Sequence, residues 1–152
     1  MKRKIPVAWV IVALYILFIF SNSYMNGDIS AMESGTLTRF LLSLLAKIHL
    51  YFEFDSFHFF IRKLAHFSEY LVLGALVFNA NDRHPLPLPR YVPNVIFMIA
   101  IPLCDECLQT FVPGRAGMFT DCLIDMSGYL IGTFLPMLSG ACMKAIASRR
   151  HT

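Results

Sequence analysis

Three of the four long apolar stretches in this chain carry ionisable residues. Lys63, His66 and Glu69 lie in one, Asp105 and Glu106 with Gln109 in the next, and Asp121 and Asp125 in the last. In water such groups would be ordinary surface, whereas in a lipid bilayer they are expensive and by default mark function. The solvent around these stretches therefore decides what the chain can fold into. Of its 152 residues 57% are hydrophobic and 15% charged, and the mean hydropathy is +0.59, too apolar for an ordinary soluble domain of this size. The expected fold is a single all-α membrane domain over 1–152. Its four transmembrane helices, at 6–22, 64–79, 91–111 and 122–143, are long enough or nearly so to cross the ~30 Å hydrocarbon layer.

The first stretch follows Met1-Lys2-Arg3-Lys4 but is not followed by a small-x-small cleavage site, so it reads as an uncleaved signal anchor. Lys and Arg favour cytoplasmic loops. With both termini inside, the inner side collects Lys2, Arg3, Lys4, Arg83, Arg90, Lys144, Arg149 and Arg150, against Arg39, Lys47, Arg62, Lys63 and Arg115 outside, eight against five. Asn79 to Arg90, with prolines at 85, 87 and 89, reads as a short extended linker. In the first outer loop, Ser30-Ala31-Met32-Glu33 has the spacing of a capping box at a helix start. Beyond it Leu37, Phe40, Leu41, Leu44, Leu45, Ile48 and Phe52 recur at helical spacing. That stripe predicts a fifth, amphipathic helix, either lying in the membrane interface or packed on the bundle as a re-entrant element.

This topology gives the polar residues one address, the outer end of the bundle. Lys63, His66 and Tyr70 share a helical face, as do Asp105 and Gln109, and Asp121, Asp125, Gly128 and Gly132 form a stripe. Gly128-x-x-x-Gly132 further permits close approach of a neighbouring helix. One mid-membrane charge costs roughly 2.5–3.5 kcal/mol, most of what about eight Leu, Ile, Phe or Val residues contribute to inserting the second stretch. The charges must therefore sit shallow, pair with one another, or line a wet cavity.

Phe60 to Tyr70 with Lys63, His66, Glu69 and Tyr70, then Asp105-Glu106-Cys107-Leu108-Gln109 leading to Pro113-Gly114-Arg115, then Asp121 and Gly128, together resemble the VanZ-like family of small bacterial membrane proteins. Ser21, Ser23, Ser30 and Ser34 resemble that family's serine-rich stretch, and Asp125 departs from it, standing where Asn is expected. The resemblance implies a multi-pass protein of the bacterial cytoplasmic (inner) membrane. It also implies a link to lowered sensitivity to glycopeptides such as teicoplanin.

Three readings of the polar residues stay open. As an enzyme on a lipid-linked or phosphorylated envelope substrate, the chain would hold a phosphate with Lys63 and Arg115. His66 would be acid, base or nucleophile, and Asp105, Glu106 and Asp121 would orient it or bind a divalent cation. Glu69, Tyr70, Gln109 and Asp125 would complete the substrate site. As a binding protein or carrier, the same pocket would take an envelope lipid, a lipid-linked precursor or a lipoglycopeptide without catalysis. As a structural bundle, pairs such as Lys63 with Asp105 and Arg115 with Asp121 would fix helix register.

Weaker signals add little. Cys104 and Cys107 have redox spacing with Cys122 nearby, but membrane cysteines serve more often as small apolar packers. His49, His58, His84 and His151 form no two-His zinc pattern. At net charge +3 the basic ends touch anionic lipid rather than nucleic acid.

Overall fold

In the computed structural model, residues 6–25 and 27–149 are described, with side chains left out at 27–31, 33 and 139–149. The basic N-terminal run, Arg150 and His151, and the side chains of Lys144 and Arg149 thus lie outside the described residues. Among the described residues the chain is wholly helical: α1 Val7–Tyr24, α2 Gly27–Ala46, α3 Phe54–Arg83, α4 Val92–Gln109 and α5 Phe119–Arg149.

Small residues set the central packing. Built onto Gly128 and Gly132, a Cβ would fall 2.3 Å from the carbonyl oxygen of Phe67 and 1.8 Å from that of Leu71. A Cβ on Gly74 would fall 2.1 Å from that of Tyr129. The α3 and α5 backbones are in direct contact there, as the glycine spacing predicts, and these two helices form the most extensive pair of the bundle. Around this seam Val12, Ile19, Tyr70, Leu73, Val77, Ala80 and Tyr129 form the buried core, flanked by Phe97, Met98 and Ile101 of α4.

The outward faces are apolar. Val7, Val10, Ile11, Leu14, Leu17 and Phe18 of α1 and Val95, Ile96, Ile99 and Leu103 of α4 are exposed, a surface far more apolar than a monomer in water presents. Of the four expected spans, α1 and α4 are long and apolar enough to cross a membrane. In α3 and α5 the polar residues dilute the apolar run.

Several local expectations need correction. Helix α3 runs through Asn79 to Arg83, so the linker is shorter than expected. Pro85 disfavours helix only at the residue before it, and Asn81 stays within the helix, donating to the Arg90 carbonyl at 2.7 Å. Because α2 begins at Gly27, Ser30 falls inside the helix rather than at its cap; the side chains of Ser30 and Glu33 lie outside the described residues. The apolar stripe also outruns the helix, which ends at Ala46 and leaves Ile48 and Phe52 beyond it. His49, at φ 62°, takes the left-handed position of the cap, with His49 and Leu50 amides bonding the Ala46 and Leu45 carbonyls at 3.1 Å each. Helix α2 packs on the N-terminal part of α3 through small and polar residues. Thr38 is buried, Ser34 Oγ lies 2.8 Å from His58 Nε2, and the Arg39 guanidinium sits 5.6 Å over the Phe54 ring. Its apolar residues Leu37, Phe40 and Leu44 face outward.

Candidate functional site

The ends of α1, α4 and α5, the middle of α3 and one turn meet at the site. Helix α1 contributes Asn22 and Ser23, α3 Lys63, His66, Glu69 and Tyr70, α4 Asp105, Glu106 and Gln109, and α5 Asp121 and Asp125. Arg115 arrives on a tight turn in which its amide bonds the Val112 carbonyl at 3.1 Å. Pro113 supplies the fixed φ for the turn's first central residue, and Gly114, at φ 76°, supplies the positive φ that the second requires, the signature of a type II turn. The Pro-Gly-Arg sequence is thus a device for aiming Arg115 back over the bundle end. There Nη2 donates to the Asn22 carbonyl at 3.0 Å while Nε is buried without a partner. Burial and then the like charge of Arg62 hold the guanidinium below the ordinary arginine value, although it remains a cation.

Neither expected pair forms. Lys63 pairs with Asp121 rather than Asp105, and Arg115 bonds the α1 carbonyl rather than Asp121. Lys63 and Asp121 each open one of the polar faces on neighbouring helices and come out level, whereas Asp105 lies deeper. Asn22 Nδ2 donates to Glu69 Oε1 at 2.8 Å. Glu106 accepts at both oxygens, from the Met118 amide at 2.7 Å and from Gln109 Nε2 at 3.4 Å.

Behind these bonded groups lies an unsatisfied set. Asp105 and Asp125 are 1% and 0% exposed, and none of their four carboxylate oxygens has a hydrogen bond. The Ser23 and Tyr70 hydroxyls and the Gln109 amide are the potential donors facing Asp105, none of them in good hydrogen-bond geometry. The buried Tyr70 hydroxyl and His66 Nδ1 are likewise unbonded, with Nδ1 3.5 Å from Asp125 Oδ1. One donor atom each from His66, Asp105, Glu106 and Asp125 lies within 4.8 Å of the others, so these four could hold a cation.

Two cavities flank this set. One of about 230 Å³ is lined by Asn22, Ser23, Arg62, His66, Glu69 and Arg115. The other, of about 260 Å³, is lined by Arg62, Lys63, His66, Gln109, Arg115 and Asp121. His66, Arg62 and Arg115 belong to both walls, whereas Tyr70, Asp105, Glu106 and Asp125 lie behind them and line neither. A larger, chiefly apolar cavity of about 430 Å³ opens at the opposite end, between Phe78, Tyr91, Val95 and Tyr129. It touches none of the clustered acids. The three described cysteines, Cys104, Cys107 and Cys122, are free thiols; only Cys122 is buried.

Asn22, Arg62 and the Met118 amide are site groups that the sequence did not single out. Asn22 closes an apolar run, and a backbone amide leaves no trace in a motif.

Apolar helix faces around a polar cluster at one bundle end define a small helical membrane protein. The VanZ/LLP1 family profile matches residues 7–140. That is most of the chain, and the protein belongs to this family. No curated protein and no solved structure matches it.

Proposed function

We propose that the protein is a four-span protein of the bacterial cell envelope whose outward-facing polar site binds and acts on a phosphorylated or lipid-linked envelope substrate. The observation that carries this reading is the unsatisfied state of Asp105 and Asp125, buried without hydrogen bonds while Lys63 is engaged by Asp121 and Arg115 by Asn22. Buried polar groups are nearly always satisfied, and orphans concentrate where a ligand or chemistry completes them. A bundle held in register by ion pairs would have used these cations on these acids. Arg62 and Arg115, on both cavity walls, suit a phosphate, and His66, between the cavities and the buried acids, is placed to move a proton. Altering such a lipid-linked substrate would also account for lowered sensitivity to a lipoglycopeptide such as teicoplanin.

Binding or carriage without catalysis is the second reading. It is favoured by the lack, among the described residues, of a hydroxyl or thiol bonded to His66, as an activated nucleophile would be. The test uses the full chain in nanodiscs with labelled phosphatidylglycerol or a polyprenyl phosphate, following bound lipid and product by mass spectrometry. Arg115→Ala should weaken lipid binding about tenfold or more. His66→Gln should remove turnover by about 100-fold with lipid still bound. Lipid released unchanged by the wild type would select the carrier, and no dependence of lipid binding on Arg115 would overturn both readings.

A further inference from the structure

We infer that His66, Asp105, Glu106 and Asp125 form a binding site for one divalent cation of the Mn²⁺ or Zn²⁺ class. Their donor atoms lie within 4.8 Å of one another and come from three helices, α3, α4 and α5. Acidic residues in proximity are not by themselves a site, but two further features point to a ligand. Asp105 and Asp125 are each at least nine-tenths buried, and all four of their oxygens are without a hydrogen bond. His66 Nδ1, also buried and unbonded, faces the same space, 3.5 Å from Asp125 Oδ1. One donor atom from each of the four residues thus borders a common volume.

Among the described residues, the lysines and arginines nearby do not fill that need. Lys63 is held by Asp121, Arg115 donates to a backbone carbonyl, and Arg62 is on the cavity walls. Three buried carboxylates thus face no lysine or arginine and share one imidazole, which lies 3.5 Å from Asp125, and a divalent ion would supply the remaining counter-charge. The donor set also selects among ions. Carboxylate oxygens alone would suit Mg²⁺ or Ca²⁺, whereas an imidazole nitrogen beside them shifts preference to Mn²⁺ or Zn²⁺. The surroundings have the character of a ligand-orienting outer layer. The Met118 amide and Gln109 fix Glu106 through one lone pair on each oxygen, and Ser23 and Tyr70 stand beside Asp105. Of the four ligands, His66 alone also lines both cavities, so an ion there would sit behind that imidazole. The inference builds on the site described above, but it requires only the side chains and not the proposed lipid.

The test is equilibrium dialysis of chelator-stripped, tag-free full-length protein in detergent against MnCl₂ or ZnCl₂, with elemental analysis and thermal melting. One ion should bind per chain and raise the melting temperature, as a ligand of the folded state must. Asp125→Asn and His66→Gln should each weaken binding by about 100-fold, while Asp82→Asn, whose carboxylate pairs with Arg90 at the opposite end of the bundle, should change it by less than about threefold. Melting of the metal-free variants shows whether they are folded. Absence of saturable binding at millimolar metal, or equal binding by wild type and both variants, would overturn the site. Cluster-dependent metal binding without any lipid binding would retain the cation site and remove the proposed function; lipid binding that persists in chelator, with no metal bound, would do the reverse.

Discussion

A carboxylate with no exposed surface and no hydrogen bond, such as Asp125, is kept at a cost to stability. Its replacement therefore separates function from structure. Asp125→Asn keeps the shape, removes a buried charge near Asp105 and leaves His66 beside a neutral amide. It should stabilise the metal-free protein by about 0.5–2 kcal/mol, the usual range when a functional site is neutralised. Were Asp125 half of a register-fixing ion pair with His66, the same change would cost roughly 3–5 kcal/mol. Thermal unfolding in detergent with excess chelator gives the sign, and a lowered melting temperature would count against the site. At this scale the sequence discloses which residues are polar out of place but not how they pair. Helical offsets group Lys63 with His66 and Asp121 with Asp125, whereas the depth and rotation of one helix against another decide that Lys63 meets Asp121 and Asp105 meets no cation.

Among the elements, the α3 and α5 seam is the rigid part on which the site is built. Gly128 follows Asp125 by one helical turn and Gly132 follows by another, so the residues that let the helices touch also set the distance from Asp125 to His66. In an exposed helix position Gly→Ala stabilises by about 1 kcal/mol. Here the new methyl would meet the Leu71 carbonyl, and Gly132→Ala should instead destabilise by about 1–3 kcal/mol, the range for overpacking. Gly132→Leu should separate the helices and abolish binding at the site. The measurement is the denaturation midpoint in mixed micelles, and a neutral or stabilising Gly132→Ala would refute the close seam. Gly128 and Gly132 are legible because their spacing is a known device. Gly74, alone on the facing helix, is not. Helix α2 is legible as an amphipathic stripe, but not which face it packs: it uses Ser34, Gly35 and Thr38 against α3 and leaves Leu37, Phe40 and Leu44 exposed. A rule that places apolar residues inward holds in water and loses its force where the surroundings are lipid, which is as apolar as the residues themselves.

For the whole molecule, the question is which end of the bundle faces out. The chain alternates direction through α1, α3, α4 and α5. Trp9 Nε1 at the start of α1 bonds the His84 carbonyl past the end of α3 at 2.8 Å, and Asn22 at the other end of α1 bonds Glu69. The polar site therefore shares its end with the Arg115 turn, while Arg83 and Arg90 share the other. At 30 residues α3 is about 45 Å long, more than the ~30 Å hydrocarbon layer requires. In a four-span arrangement its first turns, with α2 packed on them, would extend past the layer on the side of the site. Counting Lys and Arg puts that side outside, and the prediction is that Ala116 and Arg39 are extracytoplasmic and Arg83 cytoplasmic. Single Ala116→Cys, Arg39→Cys and Arg83→Cys variants, made in a background lacking the four native cysteines, report this through a membrane-impermeant thiol reagent. Ala116→Cys and Arg39→Cys should label in intact cells, and Arg83→Cys only after permeabilisation. The inverted pattern would place the cluster at the cytoplasmic face and exclude a substrate on the outer surface, whereas labelling of all three in intact cells would show that the helices do not span as four.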